Sequence, residues 1–280
     1  TGLINLNEDF KIYWNDFPIA KLTTGNDYLN PNFDLIIDDI IEQNTKHKLN
    51  EFINKWIHTK INTVLKSLID LKNIKENNSS IKALAYQLYE NNGVLKREQV
   101  SEYLKNLEQN ERKILRNLGV KFGRYHVFLY QLIKPEAVSL RTLLWKNFHQ
   151  KFHNLKPPTF GLNFLDDKEI KNKNFMLLCG FERFDNFFVR IDILERLFVL
   201  IINSSEKENS EVKLVPEMLN LLGCNKENFK KLLQKMNYKI FDKENETFFK
   251  YNPTKKFKKV TTKKISKENP FKILKNLNLN

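Results

Sequence analysis

The side chains that could do chemistry are densest between Gly119 and Tyr130 of this 280-residue sequence. This segment, GVKFGRYHVFLY, holds two glycines, two basic residues, a histidine and four aromatic residues, with Tyr125 near its middle. Aromatic rings interleaved with cations can stack nucleobases while Lys121, Arg124 and Lys134 hold phosphates. The same composition equally suits an aromatic packing elbow between helices, with glycine at the tight turns. Both interpretations stay open from the sequence.

Signatures of catalysis are few. None of the eight glycines precedes a lysine, so the sequence holds neither a phosphate-binding loop nor a glycine-rich dinucleotide motif, and we expect no ATP hydrolysis by this chain. His149 and His153 have metal-ligand spacing but no third ligand, and Cys224 is expected in the core. Asp192 and Glu195 lie one helical turn apart between Arg190 and Arg196, where ion pairing is the expected role. We predict no catalytic residue, metal or cofactor in this chain.

The charge balance favours an anionic partner. Lys and Arg number 47 against 33 Asp and Glu, a net charge of +14, which indicates RNA or DNA before an anionic membrane surface. Abundant Asn and the preference for Lys over Arg also fit an AT-rich genome, so part of the charge is compositional. Cys179 and Cys224 are expected as free thiols, and no apolar stretch reaches membrane-spanning length. We predict a cytoplasmic protein without a membrane partner.

Residues 1–150 predict a β-hairpin followed by a helical platform. Apolar and polar residues alternate from Phe10 to Leu22 around the turn pair Asn15-Asp16, and helical periodicity begins at Thr45. Pro135 opens a helix that carries Arg141, a candidate phosphate ligand. Residues 151–174 are poor in apolar anchors and contain Pro157-Pro158, so we predict a linker there.

Residues 175–251 predict a winged-helix-like module. Strands are expected at 175–181 and 187–190, then a helix, a short strand, two further helices and a hairpin. In a winged helix the third helix presents its exposed face to nucleic acid. Here that face offers four cations: Lys226, Lys230, Lys231 and Lys235. The predicted fold class is therefore mainly α with small β-hairpins, a helical platform plus a winged-helix-like module.

The last segment, 252–280, holds nine Lys and one acidic residue, and we predict a disordered, nucleic-acid-attracting tail.

Four stretches resemble a known family. In the same order along the chain, these stretches are similar to the C-terminal half of alphaproteobacterial helicases related to the mitochondrial degradosome RNA helicase. They are YWNDFPIAKLTTGNDYLNP (13–31), ERKILRNLGVKFGRYHVFLYQLIKPEA (111–137), VRIDILERL (189–197) and LLGC (221–224). The resemblance implies a superfamily 2 ATP-dependent helicase whose two motor domains, with their ATP and Mg site, would precede Thr1. It implies no catalytic residue in this chain.

From these observations we expect an accessory region that grips or guides a strand for a motor outside this chain. The alternative is a protein-docking scaffold without direct nucleic-acid contact, since winged helices also bind proteins and the charge has a compositional explanation.

Overall fold

The computed structural model describes residues 3–36, 42–75, 78–166, 172–184, 186–205 and 210–252. Within these ranges the fold is mixed α/β: about half of the residues are helical, in ten α-helices, and four small antiparallel sheets account for the strands. The predicted fold class is confirmed for the helices, but the strand content is larger than the sequence patterns indicated.

The described residues form two compact units. The first contains the chain as far as Asn203 together with Pro216–Cys224, and the second contains Ser204–Val215 and the chain from Asn225. The predicted linker at 151–174 does not separate these units. It contains a paired strand, Phe164–Asp166, and the first residues of a helix, while 167–171 lie outside the described residues.

A four-stranded sheet opens the first unit, where the sequence predicted two strands. The turn at Asn15 and Asp16 forms as predicted, with Asn15 at a positive φ of 52°. The outer strands were missed because β1 has only three residues and β4, NPNFDL, has few apolar residues. In spatial order the strands are β1 (Ile4–Leu6), β2 (Lys11–Trp14), β3 (Phe17–Asp27) and β4 (Asn30–Leu35).

Six helices of the first unit follow this sheet as a platform. Ile53, Ile57 and Ile61 repeat every four residues and are buried, which fixes the inward face of the first helix. The third helix is capped by Asn78, whose side chain accepts hydrogen bonds from the backbone N–H groups of Ser80 and Ile81. The helices are α1 (Gln43–Val64), α2 (Lys66–Lys72), α3 (Ser79–Glu90), α4 (Ser101–Asn106), α5 (Gln109–Asn117) and α6 (Pro135–Phe148).

Helix α6 lies between two apolar clusters, which explains why it is buried nearly all round. Leu140, Leu143 and Leu144 belong to the platform core, whereas Val138 and Trp145 belong to a second cluster. That cluster includes the helix α7 (Lys173–Leu178) and the sheet β8 (Phe164–Asp166), β10 (Phe187–Arg190) and β9 (Phe181–Phe184), written in spatial order.

The predicted strand at 175–181 is wrong over most of its length. The Asn172 side chain accepts a hydrogen bond from the backbone N–H of Phe175 at 3.0 Å and thereby starts a helix. Gly180 then takes a positive φ of 85°, which ends the helix, and the strand begins only at Phe181. The local capping residues outweighed the strand preference of the apolar run FMLLCGF.

The remaining part of the first unit consists of one sheet and two helices. Two strands of this sheet come from the segment Gly119–Tyr130. The sheet has the spatial order β5 (Val94–Lys96), β7 (His126–Leu129) and β6 (Val120–Phe122). All four residues of β7 are buried, so neither face of this strand is open to solvent. The helices are α8 (Ile191–Ser204) and α9 (Pro216–Leu222).

The second unit packs one helix on one small sheet. Phe229, Leu232 and Leu233 of α10 (Lys226–Lys235) are buried with Val212 and Phe249 of the sheet. The sheet has the spatial order β11 (Glu211–Lys213), β13 (Glu246–Tyr251) and β12 (Tyr238–Lys243). Each predicted element from the helix at 191 to the closing hairpin is present in the predicted order, with α8 and α9 in the first unit and the other elements in the second. Residues 253–280 of the predicted tail lie outside the described residues.

Among the helices in the described ranges, none is both long and apolar enough to cross a membrane.

Candidate nucleic-acid interface

The exposed face of α10 is built by its cap and its buried stripe. The Asn225 side chain accepts a hydrogen bond from the backbone N–H of Asn228 at 2.8 Å and fixes the first turn. The rings of Phe229 and Phe249 meet edge to face at 6.2 Å, which orients the apolar stripe toward the sheet. The lysines of the helix are consequently turned away from the sheet.

The four predicted lysines of α10 are not equivalent. Lys226, Lys231 and Lys235 are exposed, whereas Lys230 is half-buried and its Nζ lies 3.5 Å from Asp242. The hydrogen bond from the Thr247 hydroxyl, with the charges of Lys230 and Lys226 nearby, lowers the pKa of the Asp242 carboxyl below its ordinary value. Lys230 is therefore partly neutralised within the unit.

The face of the sheet opposite α10 carries a second group of cations that the sequence analysis missed. Because strand residues alternate between faces, Lys239, Phe241 and Lys243 of β12 share one face of the sheet. Directly across on β13 lie Lys250, Phe248 and Glu246, and the adjacent β11 contributes Glu211 and Lys213. We call these eight residues the outer sheet face. Applying the period of two to the predicted hairpin would have found it.

The predicted elbow, Gly119–Tyr130, contains β6 and β7, and the turn between these two strands is held by one carboxylate. Glu195 of α8 accepts hydrogen bonds from the backbone N–H groups of Arg124 at 2.5 Å, Tyr125 at 2.9 Å and His126 at 2.8 Å. A side chain at Gly123 would place its Cβ 2.3 Å from the Glu195 carboxyl carbon. Only glycine at this position leaves room for the carboxylate.

His126 bridges two carboxylates inside the elbow. Its Nδ1 lies 3.3 Å from Glu195 and its Nε2 lies 3.3 Å from Glu182, which in turn is 2.7 Å from the Lys96 ammonium. Burial acts to lower the pKa of His126, but the hydrogen bonds and charges of Glu182 and Glu195 together outweigh it and raise the pKa. Because both ring nitrogens are engaged and the residue is 2% exposed, His126 is placed to stabilise the elbow rather than to exchange protons with a substrate.

The predicted contacts of the elbow are found in different environments. Lys121, Arg124 and Lys134 are exposed and open to phosphates. The Arg124 guanidinium lies 5.4 Å from the centre of the Phe198 ring, and the ring of Tyr125 meets Phe198 edge to face at 5.4 Å. Tyr125 is therefore packed on α8 rather than presented for stacking.

The assignment of Arg141 to a phosphate site requires correction. Its side chain is fully buried and donates hydrogen bonds to the backbone carbonyls of Asn92, Leu132 and Leu178 at 2.6 to 2.9 Å. These three carbonyls come from separate segments of the first unit, so Arg141 ties them together. The amphipathic pattern of α6 gave no sign of this role because both sides of the helix are covered.

The remaining titratable candidates also have structural surroundings. Arg190 forms a two-point ion pair with Asp192, as predicted, whereas Glu195 binds backbone instead. His149 packs on Trp145 and His153 stacks on Phe10. Cys224 is half-buried and does not lie in the predicted core position, and partial burial raises the pKa of its thiol to about 11. Across the described part of the chain, no three His, Cys, Asp or Glu side chains are grouped as metal ligands.

No protein-family model, curated protein or solved structure matches this chain. The helicase resemblance thus stays a prediction.

Proposed function

We propose that this chain binds a nucleic-acid strand, RNA or DNA, chiefly through phosphate contacts from α10. The supporting observation is that the exposed side of this ten-residue helix presents Lys226, Lys231 and Lys235 beside Lys230, with Glu227 as its acidic residue. Neither Lys226 nor Lys231 has an ion pair within 4.0 Å among the described residues. Cations displayed in this way gain most from a polyanion, because each neutralised phosphate releases a counterion.

The acidic groups of the sheet already have lysine partners within the unit, so they do not cancel the positive charge of α10. Glu246 is paired with Lys213 at 2.5 Å and Glu211 with Lys243 at 2.7 Å, so these carboxylates are compensated by lysines on other strands of the same sheet. A phosphate that approaches on the α10 side contacts the lysines of the helix. The Asp242 carboxylate on this side already interacts with Lys230 and Thr247. Exposed Lys121, Arg124 and Lys134 of the first unit supply further candidate contacts.

The biological context that we propose is an accessory region of an ATP-dependent helicase. The chain would hold or guide the strand in a winged-helix-like manner, while a motor with its own ATP and Mg moves the strand. The predicted motifs and the order of elements from α8 to β13 support this context. The proposal requires no catalysis by the chain itself.

A salt series on the full chain tests phosphate binding. Labelled single strands of RNA and DNA and a duplex are titrated by fluorescence anisotropy between about 0.05 and 0.2 M salt. The double variant Lys226→Ala and Lys231→Ala should reduce the slope of log affinity against log salt by about 1.4 on single strands, because two phosphate contacts are lost. A charge-matched control, Lys66→Ala and Lys72→Ala on α2, should retain the wild-type slope. Equal slopes in both double variants would contradict the proposal.

A second candidate function, docking of another protein, rests on an exposed apolar surface of the first unit. Leu3 and Phe17 are 77% and 75% exposed, and the half-exposed rings of Trp14 and Phe52 lie 5.5 Å apart beside them. Such a surface is typical of protein contacts. Association of the chain with another protein through this surface should persist at high salt. It should be lost in the double variant Phe17→Asp with Phe52→Asp. Sedimentation velocity at increasing salt concentration measures both effects. Association that disappears with salt would exclude this surface as its cause.

A further inference from the structure

The outer sheet face has two aromatic rings at its centre. Phe241 and Phe248 are opposite each other on β12 and β13, with ring centroids 6.2 Å apart and planes inclined by 12°. Both rings are only partly covered, and the Lys243 ammonium lies 5.0 and 5.7 Å from their centres. Apolar rings that remain accessible on a small sheet offer flat surfaces for a further π system.

The charges around these rings favour an anionic occupant. Lys239 and Lys250 are both exposed and lie directly across from each other in the β12–β13 pair. Like charges in this position repel and destabilise a sheet, unless an anion is shared between them. Glu211, which is next to Lys250 on β11, is held at 2.7 Å by Lys243, and Glu246 is held by Lys213. The eight residues together carry two more cations than carboxylates.

We propose that the outer sheet face is a stacking platform for unpaired nucleobases, with Phe241 and Phe248 under the bases and Lys239 and Lys250 on the phosphates. Rings flanked by cations match a single strand, whose bases are free to stack and whose backbone is anionic. A duplex offers the same phosphates but keeps its bases stacked on one another, so the platform selects single strands. This inference rests on the proposed function and adds the class of strand to it.

The test compares two oligonucleotides of about 12 nucleotides that share the same backbone, one of thymidines and one fully abasic. The full chain is titrated with each by fluorescence anisotropy at constant salt. We expect the thymidine strand to bind roughly fivefold to a hundredfold more tightly, which corresponds to the measured range for stacking one base on an aromatic ring. Phosphate contacts, including any from the region after Asn252, are common to both probes and cancel in the ratio.

Three variants assign the preference to this face. Phe241→Leu with Phe248→Leu should bring the ratio close to one and leave affinity for the abasic strand unchanged, and the single change Phe248→Leu should lower the ratio partly. Lys239→Ala with Lys250→Ala should weaken both probes by the same factor. The matched control is Phe17→Leu with Phe52→Leu, which removes exposed rings elsewhere and should keep the wild-type ratio.

The outcomes separate the two levels of the proposal. Equal affinity of the wild-type chain for both probes, with a normal salt slope, would overturn the platform and leave phosphate binding standing. The platform would also be overturned if the Phe241 and Phe248 variants kept the wild-type ratio of thymidine to abasic affinity while circular dichroism showed that they are folded. Absence of binding to either probe would overturn the proposed function together with the platform.

Discussion

The elbow and the outer sheet face both combine aromatic and basic residues on small three-stranded sheets, yet the structure uses them differently. In the elbow, every residue of β7 is buried and Phe128 is 4% exposed, because both faces of that strand are covered. In the second unit the sheet has α10 on one face, so Phe241 and Phe248 stay partly accessible on the other. Composition therefore does not decide whether a ring is core or surface. The number of covered faces decides it.

Electrostatics separates the same two regions. In the elbow the Glu195 carboxylate accepts hydrogen bonds from three backbone N–H groups. The His126 ring lies between the carboxylates of Glu182 and Glu195, so the charged groups of the elbow have partners within the fold. On the outer sheet face Lys239 is set against Lys250, and Glu211 beside Lys250 is held by Lys243, so the face keeps an excess of positive charge. Internally satisfied charges stabilise a fold, and uncompensated ones favour a ligand.

The largest expected difference between the regions is in the cost of removing a ring. Phe128→Ala should lower the free energy of unfolding by about 3 to 5 kcal/mol, because it leaves a cavity in a covered strand. Phe248→Ala should lower it by about 1 kcal/mol, since the site can be filled by solvent. Urea denaturation followed by circular dichroism measures both. Equal losses would show that the outer rings belong to a core as well.

The next largest difference is expected in the unfolding free energy lost when a carboxylate is removed from each region. Glu195→Ala leaves the N–H groups of Arg124, Tyr125 and His126 without their acceptor and should cost about 2 to 3 kcal/mol of unfolding free energy. Glu246→Ala removes a half-exposed ion pair with Lys213 and should cost less than about 1 kcal/mol. Thermal and urea unfolding of the two variants provide the comparison. A loss for Glu246→Ala as large as that for Glu195→Ala would contradict this account of the elbow.

The pH dependence of stability should report on His126. Its pKa is higher in the folded chain than in the unfolded chain, so the stabilising contribution is complete below the unfolded value of about 6.5 and is lost as the pH rises through the folded pKa. The groups facing the ring are Glu182, Glu195 and, through Glu182, Lys96. Between about pH 6 and pH 9 the wild type should lose more stability than His126→Gln. The exposed His47→Gln should follow the wild type, and a His126→Gln profile identical to it would refute the assignment.

The smallest expected effect concerns Tyr125. Because its ring is packed on Phe198, Tyr125→Leu should leave the ratio of thymidine to abasic affinity at the wild-type value. The same measurement on Phe248→Leu should show a lower ratio. A drop in the Tyr125 variant would place base stacking in the elbow and blur the distinction between the two regions.

Local patterns in the sequence predicted much of the second unit and the helices of the first. The Asn225 cap, the proline at the first position of α6 and the four-residue repeat of isoleucines in α1 are signals within about one turn of the chain, so they act without tertiary context. The strand predicted at 175–181 failed because the Asn172 cap outweighed β propensity. Strand β4 was missed because pairing with β3, rather than its own residues, makes it a strand.

The candidate site shows the same division. The lysines of α10 could be assigned to an exposed face because helical spacing separates them from Phe229 and Leu232. Arg141 could not be distinguished from a surface cation, because a polar residue in a helix reveals nothing about which segments later cover it.

By itself the sequence determined the positive charge, the order of elements from α8 to β13 and the lysine face of α10, since each depends on residue type and near-neighbour spacing. Only the tertiary structure decided that the elbow is closed by Glu195 and His126, that Arg141 is buried, and that Lys239 faces Lys250. Those facts depend on strand register and on contacts between residues as far as 71 positions apart. Such contacts are fixed by packing of the whole unit rather than by local preference.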